Sequence, residues 1–378
     1  MKKNKEIVII LILTILVAAI ILPRNLNNLD EIWNYNFGIN IANGKLPYKD
    51  FNMVQTPLSA MISGMILKVF GNELIVMRTL GIILSVAILY VTYKILEKLK
   101  VNRYVIYISL ALIFLLNSQY FTYDYNYLIL LITLITIYFE LEKEVISFNI
   151  KKELLLGILV GTSILAKQTT GIILSLVFIF YKILIAKNKE EWKSVVKIIF
   201  TRIVGISIPV ILFLIYLFKN NIMNEFLDYA IYGIKQFSNY IPYTNLFKYY
   251  GTHITILAIT IPITILYMYY KAVVKENKGT MLVLFSYSCA SFTAVYPISD
   301  NIHFIIAALP TIIGLIYILY NLFKEKIKTK IVKEILKAII NIAIISAVIT
   351  SIVILAEYII SCGKYKSLNH FKYIPVRS

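Results

Sequence analysis

Long apolar runs broken by short polar connections make up most of the 378 residues. A helix that crosses a bilayer core needs about 17–25 predominantly apolar residues. Runs of this kind fall near 7–22, 74–96, 104–117, 127–141, 154–167, 171–186, 198–218, 253–270, 281–296, 303–322 and 335–359. The pattern predicts an all-α polytopic membrane protein with about eleven transmembrane helices, several of them with soft ends. The first run follows Lys-Lys-Asn-Lys-Glu and is succeeded by Pro23-Arg24-Asn25, with no small-x-small cleavage site. It therefore reads as a retained helix and not as a removed signal peptide.

The interruptions matter as much as the runs. The first long one spans 23–73. Within it IWNYNFGINIANG reads as a short amphipathic helix with Asp30 near its N-cap and Gly44 at its end. Pro57 opens a second short helix that Gly71 closes. Both are expected to lie along the membrane interface, being too short to cross. A second polar stretch, 219–251, is rich in Tyr and Phe. Its aromatics suit either an interfacial belt or a stacking surface for a sugar or acceptor. With no internal repeat and no separate soluble domain, 1–378 is expected to be one membrane domain ending in a short basic tail, 360–378.

Composition and charge sharpen this reading. At 59% hydrophobic residues the chain is too apolar for an ordinary soluble domain. The formal charge of +18 raises nucleic acid as a partner, but the basic residues sit in short clusters between apolar runs. With the N-terminus cytoplasmic, 25 of the 38 Lys and Arg fall in or beside the inner connections, 1–6, 97–103, 142–153, 187–197, 271–280 and 323–334. That asymmetry is the positive-inside pattern, and it argues against a nucleic-acid partner. Cys289 and Cys362 make neither a metal spacing nor a disulfide framework.

The same topology puts Asp30, Asp50, Asp124, Asp228 and Asp300 on the outer side, with His253, His303 and His370. The bland reason is that Asp suits loops and Glu suits helices. Yet Asp124 and Asp300 occupy very short connections against the membrane, where an unused carboxylate is expensive. Arg78 lies about one turn inside the second run and calls for an anion, either an outer carboxylate or a lipid phosphate. Lys167-Gln168 stands between two runs with almost no loop, and a lysine there either snorkels or meets a phosphate. Asp300 and His303 are three apart at a helix start and share a face. A divalent cation on Asp30, Asp50 and Asp124 is chemically compatible, but nothing in the spacing requires a metal or other cofactor.

Taken in order, Asp30-Glu31 after the first helix, Gly44, Pro47-Tyr48, Asp50, Pro57-Leu58 and Arg78 form a pattern that resembles the GT-C class of membrane glycosyltransferases. Within that class it is most similar to the branch of protein O-mannosyltransferases and lipid A aminoarabinose transferases. The stretches YDYN around Asp124, LAKQTTG around Lys167 and YPISDNIH through Asp300 and His303 add to the likeness. Better-known members carry a large C-terminal extracytoplasmic domain and often a Gly after the lysine, where this chain has Gln168.

The resemblance implies a multi-pass cell-membrane enzyme with an extracytoplasmic active site. It implies transfer of a sugar, with inversion, from a polyprenyl-phosphate-linked donor to a lipid, glycan or protein acceptor. Asp30 is then the expected base and Glu31 its neighbour in the catalytic motif. Lys167, Arg78 and His303 are the candidates for the donor phosphate, and Asp50, Asp124, Gln168 and Asp300 for positioning sugar or acceptor. Two other classes fit the composition: a transporter or flippase for a lipid-linked saccharide, and a non-catalytic subunit of envelope polysaccharide assembly. The first would place ionisable groups near mid-membrane on broken helices, whereas the notable ones here cluster towards one face.

Overall fold

The computed structural model describes residues 2–24, 26, 29–141, 146–186, 188–233, 240–274 and 279–327, with scattered positions between 331 and 356. About half of the expected last crossing, 335–359, lies outside the described residues, and the basic tail wholly so. Among the described residues the structure is helical. The strand-like pairings among those residues are two isolated bridges, Pro47 with Phe51 and Ile241 with Ile298. The chain forms two compact units. One comprises Met1–Lys45, Ser59–Tyr127 and Ile316–Ser378, the other Leu46–Leu58 and Leu128–Leu315.

The first unit is built from α1 (Lys2–Ile21), α2 (Leu29–Ala42), α3 (Leu58–Phe70), α4 (Leu74–Lys98) and α5 (Arg103–Asn117). Helix α1 packs along α4 and buries Val17, Ile20 and Ile21. Asn102 starts α5, its side chain accepting a hydrogen bond from the Tyr104 amide at 2.9 Å. Helices α2 and α3 touch where a glycine of each receives side chains of the other: a Cβ on Gly38 would lie 2.7 Å from the Ser63 hydroxyl, and one on Gly64 2.6 Å from Ile41. That contact seats the acidic start of α2 against its neighbours.

The second unit holds most of α6 (Tyr125–Glu140), then α7 (Ile150–Ala166), α8 (Gln168–Phe180), α9 (Lys189–Lys219), α10 (Met223–Phe226), α11 (Thr252–Tyr269), α12 (Thr280–Phe292) and most of α13 (Asn301–Ile327). Its most extensive helix pair is α7 with α9. Gly157 and Gly161, four apart on α7, lie against α9, Gly157 facing Gly205 and Gly161 facing Ile206 and Pro209. A Cβ on Gly157 would stand 3.0 Å from the Arg202 carbonyl, and one on Gly161 2.7 Å from both the Ile206 carbonyl and the Pro209 ring. Small residues at four-residue spacing let helix backbones approach closely where lipid gives no hydrophobic push between helices.

Among the described residues, four helical segments are long and apolar enough to cross a membrane: Leu74–Lys98, Lys189–Lys219, Thr252–Val274 and Asn301–Lys324. Most of the other expected crossings correspond to apolar helices of 10–17 residues, below the ~20 that a bilayer core asks for. By length and composition, four helices among the described residues are candidates to cross, and the expected eleven are not reached by that measure. The outer face of α9 exposes Ile211, Leu212, Ile215 and Phe218, a patch suited to hydrocarbon rather than water.

Gly161→Ala should force α7 and α9 apart, because its methyl meets backbone and a proline ring. The expected loss is about 1–3 kcal/mol, read as a lower thermal unfolding midpoint in detergent. An unchanged midpoint would show that the seam accommodates a methyl.

Candidate functional site

The acidic motif lies at the start of α2, where the free N–H groups of a first helical turn favour carboxylates. Its two acids have different surroundings. Glu31 is 1% exposed and sits in a guanidinium fork: Arg78 Nε donates to Oε1 at 2.8 Å and Nη2 to Oε2 at 3.3 Å. Arg24 adds a second cation, its Nη2 lying 3.5 Å from Oε2. Arg78 Nη1 donates to the Leu22 carbonyl at 2.9 Å. Arg24 donates to the Gln119 and Phe121 carbonyls at 3.0 and 2.8 Å. Burial pushes the Arg24 guanidinium below its ordinary value, and the Glu31 charge opposes that shift. Glu31 thus ties the end of α1, the start of α2, α4 and the loop after α5 together.

Asp30 is half-buried and shares a face of α2 with Asn34, one turn on. The Asn34 amide nitrogen donates to the Asp30 carbonyl at 2.8 Å and to Asp124 Oδ2 at 3.2 Å. Its oxygen accepts from the Ser59 hydroxyl at 3.3 Å. Asp124 is buried, and its Oδ1 accepts from the Asn126 amide at 2.6 Å, capping the start of α6. The Tyr123 hydroxyl donates to the Ser59 carbonyl at 3.0 Å. Burial, aided by the Asp124 charge, raises the Tyr123 phenol above its usual range and keeps it neutral. In this unit the fold therefore brings together Asp30, Glu31, Arg78 and Asp124 of the expected residues. It adds Arg24, Asn34 and Ser59, which sequence reasoning missed. The helical spacing of Asn34 from Asp30 was the one signal available for any of these.

The other expected residues belong to the second unit. Asp50 is exposed and closes a tight turn, accepting from the Leu46 amide at 2.7 Å. In the same turn Tyr48 adopts φ 71° and packs its ring edge-on to Phe226, 5.3 Å between centroids. Lys167 is half-buried at the break between α7 and α8, in extended backbone of φ −155° and ψ 113°. Gln168 is buried and staples three segments. Its amide donates to the Val54 and Ala230 carbonyls at 2.8 Å each and accepts from the Thr56 amide at 3.3 Å. Asp300 precedes α13 and accepts from the His303 amide at 2.8 Å, with His303 Nδ1 also 2.8 Å from the same oxygen. Among the described residues no three His, Cys, Asp or Glu side chains are grouped to hold a metal ion.

Chemically, the α2 cluster offers one carboxylate locked in an ion pair beside another that keeps part of its surface open. Comparison with known proteins addresses the fold around it. The crystal structure of the Archaeoglobus fulgidus oligosaccharyltransferase, in complex with Zn and sulfate, superimposes with a TM-score of 0.50 at 12% identity. The likeness is one of fold. It covers 93% of this chain but 53% of that one, so the chain spans about half the length of the oligosaccharyltransferase. No family model matches the chain, and no curated protein matches it.

Removing Arg78 should leave a buried carboxylate with a poorer partner, at a cost of about 3–5 kcal/mol. Arg78→Met alone is expected to lower the unfolding midpoint sharply. Adding Glu31→Met should return part of the loss, with a coupling of about 0.5–3 kcal/mol in a double-mutant cycle. Simple additivity of the two changes would mean that the fork contributes no pairwise energy.

Proposed function

We propose that this protein is a membrane glycosyltransferase that moves a sugar from a polyprenyl-phosphate-linked donor to an extracytoplasmic acceptor, with inversion at the anomeric carbon. The fold likeness to an oligosaccharyltransferase supports the class. The observation that carries the role of Asp30 is the contrast within the motif: Glu31 is sealed behind two guanidinium groups, while Asp30 beside it is half-buried.

In the reaction the acceptor hydroxyl oxygen forms a bond to the anomeric carbon. The bond from that carbon to the lipid phosphate oxygen breaks, and its electron pair leaves with the phosphate. Asp30 takes the hydroxyl proton as general base. A lipid phosphate is already a good leaving group, so cations serve it better than an acid would. Lys167 and His303 are the residues that the sequence pattern offers for that role. Arg78, with its donors directed at Glu31 and the Leu22 carbonyl, serves in this reading to hold Glu31 in place instead of reaching the donor phosphate. Glu31 fixes the start of α2 and so the direction of Asp30. Asn34 links the Asp30 backbone to Asp124, which makes Asp124 a positioning group. Asp50, Gln168 and Asp300 shape the loops that receive sugar and acceptor, and the site faces the outer side assigned by the charge pattern.

Asp30→Asn should reduce transfer by roughly 10²–10⁴-fold while leaving the unfolding midpoint near that of the parent protein. The assay is reconstitution in vesicles with a radiolabelled polyprenyl-phosphate sugar, scoring covalent transfer and translocation separately. Parental transfer by Asp30→Asn would place the base elsewhere. Translocation without transfer by the unmodified protein would make it a flippase.

A further inference from the structure

Within the second unit, two connections that the charge pattern assigns to the outer side carry tyrosines that the glycosyl-transfer reading leaves without a task. The segments 240–250 and 296–303 are joined through their backbones. The Ile241 amide donates to the Pro297 carbonyl at 3.1 Å, and the Ser299 amide donates to the Ile241 carbonyl at 3.0 Å. Tyr243 anchors the first segment to three helices. Its hydroxyl donates to the Ala258 carbonyl on α11 at 2.7 Å, and its ring lies edge-on to Phe292 of α12 and Phe304 of α13, 6.1 Å between centroids in each case. On this base Tyr240 and Tyr296 meet across the joint, their rings 6.5 Å apart at an interplanar angle of 63°. They are 68% and 76% exposed.

A carboxylate stands one residue past the joint. Asp300 Oδ1 is held by the His303 amide and lies 2.8 Å from His303 Nδ1, while Oδ2 has no hydrogen-bond partner among the described residues. Burial, with the Asp300 charge added to it, raises the Tyr250 phenol above its ordinary value, so a further tyrosine of the first segment stands near this acid. Lys248 is the one cation of the first segment and Asp300 the one acid of the second, so with His303 neutral the formal charges of the two segments cancel. Large exposed rings mark a surface that something covers. A neutral partner is the one that this charge balance selects. Tyrosine offers such a partner a rigid, amphipathic contact face at low entropic cost, and an ionised carboxylate accepts hydrogen bonds from neutral hydroxyls. Flat C–H faces and many hydroxyls together are the surface chemistry of a sugar.

We propose that Tyr240 and Tyr296 stack against a neutral saccharide while Asp300 Oδ2 accepts from one of its hydroxyls, which makes the acceptor of the transfer reaction a glycan. Calling the saccharide an acceptor rests on the glycosyl-transfer reading; the stacking does not. Tyr243 is a positioning residue here: it holds the first segment on α11, α12 and α13, so the two exposed rings keep their spacing.

The test uses the full chain in phosphatidylcholine nanodiscs, free of sugar-headed detergent, passed over immobilised maltotetraose, chitotetraose and mannotetraose. At least one of these neutral glycans should retain the unmodified protein, and the same glycan in solution should elute it. Tyr240→Ala and Tyr296→Ala should each weaken retention about 3–10-fold, the range for one aromatic contact. Tyr240→Phe and Tyr296→Phe should bind nearly as the parent does, because stacking needs the ring and not the hydroxyl. Asp300→Asn keeps a good helix cap and should weaken retention by a similar factor. All of these variants should keep the parental unfolding midpoint. Failure of all three glycans to retain the protein would overturn the proposal, as would retention that the folded alanine variants leave unchanged. A second measurement tests the membrane interface as the covering surface. A nitroxide attached through Tyr296→Cys, with Cys289 and Cys362 changed to Ser, should be reached by a water-soluble nickel chelate more readily than by oxygen. The reverse order would assign the rings to an interfacial belt and overturn the proposal. Retention is measured without donor or transfer, so failure here and failure of the Asp30 assignment are separable.

Discussion

The Glu31 carboxylate, held by Arg78 with Arg24 behind it, is the interaction on which the first unit depends. A lone charge in that position would cost several kcal/mol or more, so the three side chains are present together or the segment does not settle. Through them the end of α1, the start of α2, the upper part of α4 and the loop after α5 are fixed to a common point. Asp30 inherits its position from this arrangement. It is one residue from the sealed acid on the same helical turn, and Asn34 braces its backbone from one turn below. The base proposed at Asp30 needs surroundings that do not rearrange as lipid and acceptor exchange, and the buried fork beside it is a rigid support of that kind.

The second unit uses the same device with different partners. Arg202 and Lys182 divide the four oxygens of Glu140 and Glu153 between them, and the aromatic face of Phe178 covers the guanidinium. Charge inside an apolar bundle is tolerated where each atom is matched. The two networks differ in their relation to the remaining polar chemistry. One stands next to a half-buried carboxylate, the other beside a cavity that its own two acids and Lys182 help to line.

Much of this was legible in the chain. The apolar runs announced a helical membrane protein, and the acidic pair after the first run announced the start of α2 at Asp30 and Glu31. The need of Arg78 for an anion was also readable, though not which anion it meets, because pairing between residues 47 positions apart depends on how α2 lies on α4. Asn34, Ser59 and Arg24 went unread for the same reason: single polar residues acquire meaning only from neighbours distant in sequence. Gln168 read as a phosphate- or sugar-facing side chain because it sits in a dense polar group, yet its amide joins Val54, Thr56 and Ala230. The span count read from apolar runs is not confirmed by helix length, since α8 and α12 each have 13 residues. The charges of Glu153 and Arg202 bordering or interrupting apolar runs were the overlooked signal for the second network.

The glycine seam between α7 and α9 has a consequence for that network. Gly157 lies against the carbonyl of Arg202 itself, so the residue that sets the helix crossing is also the one that carries the buried guanidinium. Depth and charge are therefore set by one contact. A slip of α9 by a single turn would carry Arg202 about 5.4 Å along the helix axis, out of reach of both Glu140 and Glu153. The two helices cannot slide past one another gradually: any relative motion along the seam has to break the ion cluster first, which makes this pair a fixed post in the unit and leaves movement to the segments around it.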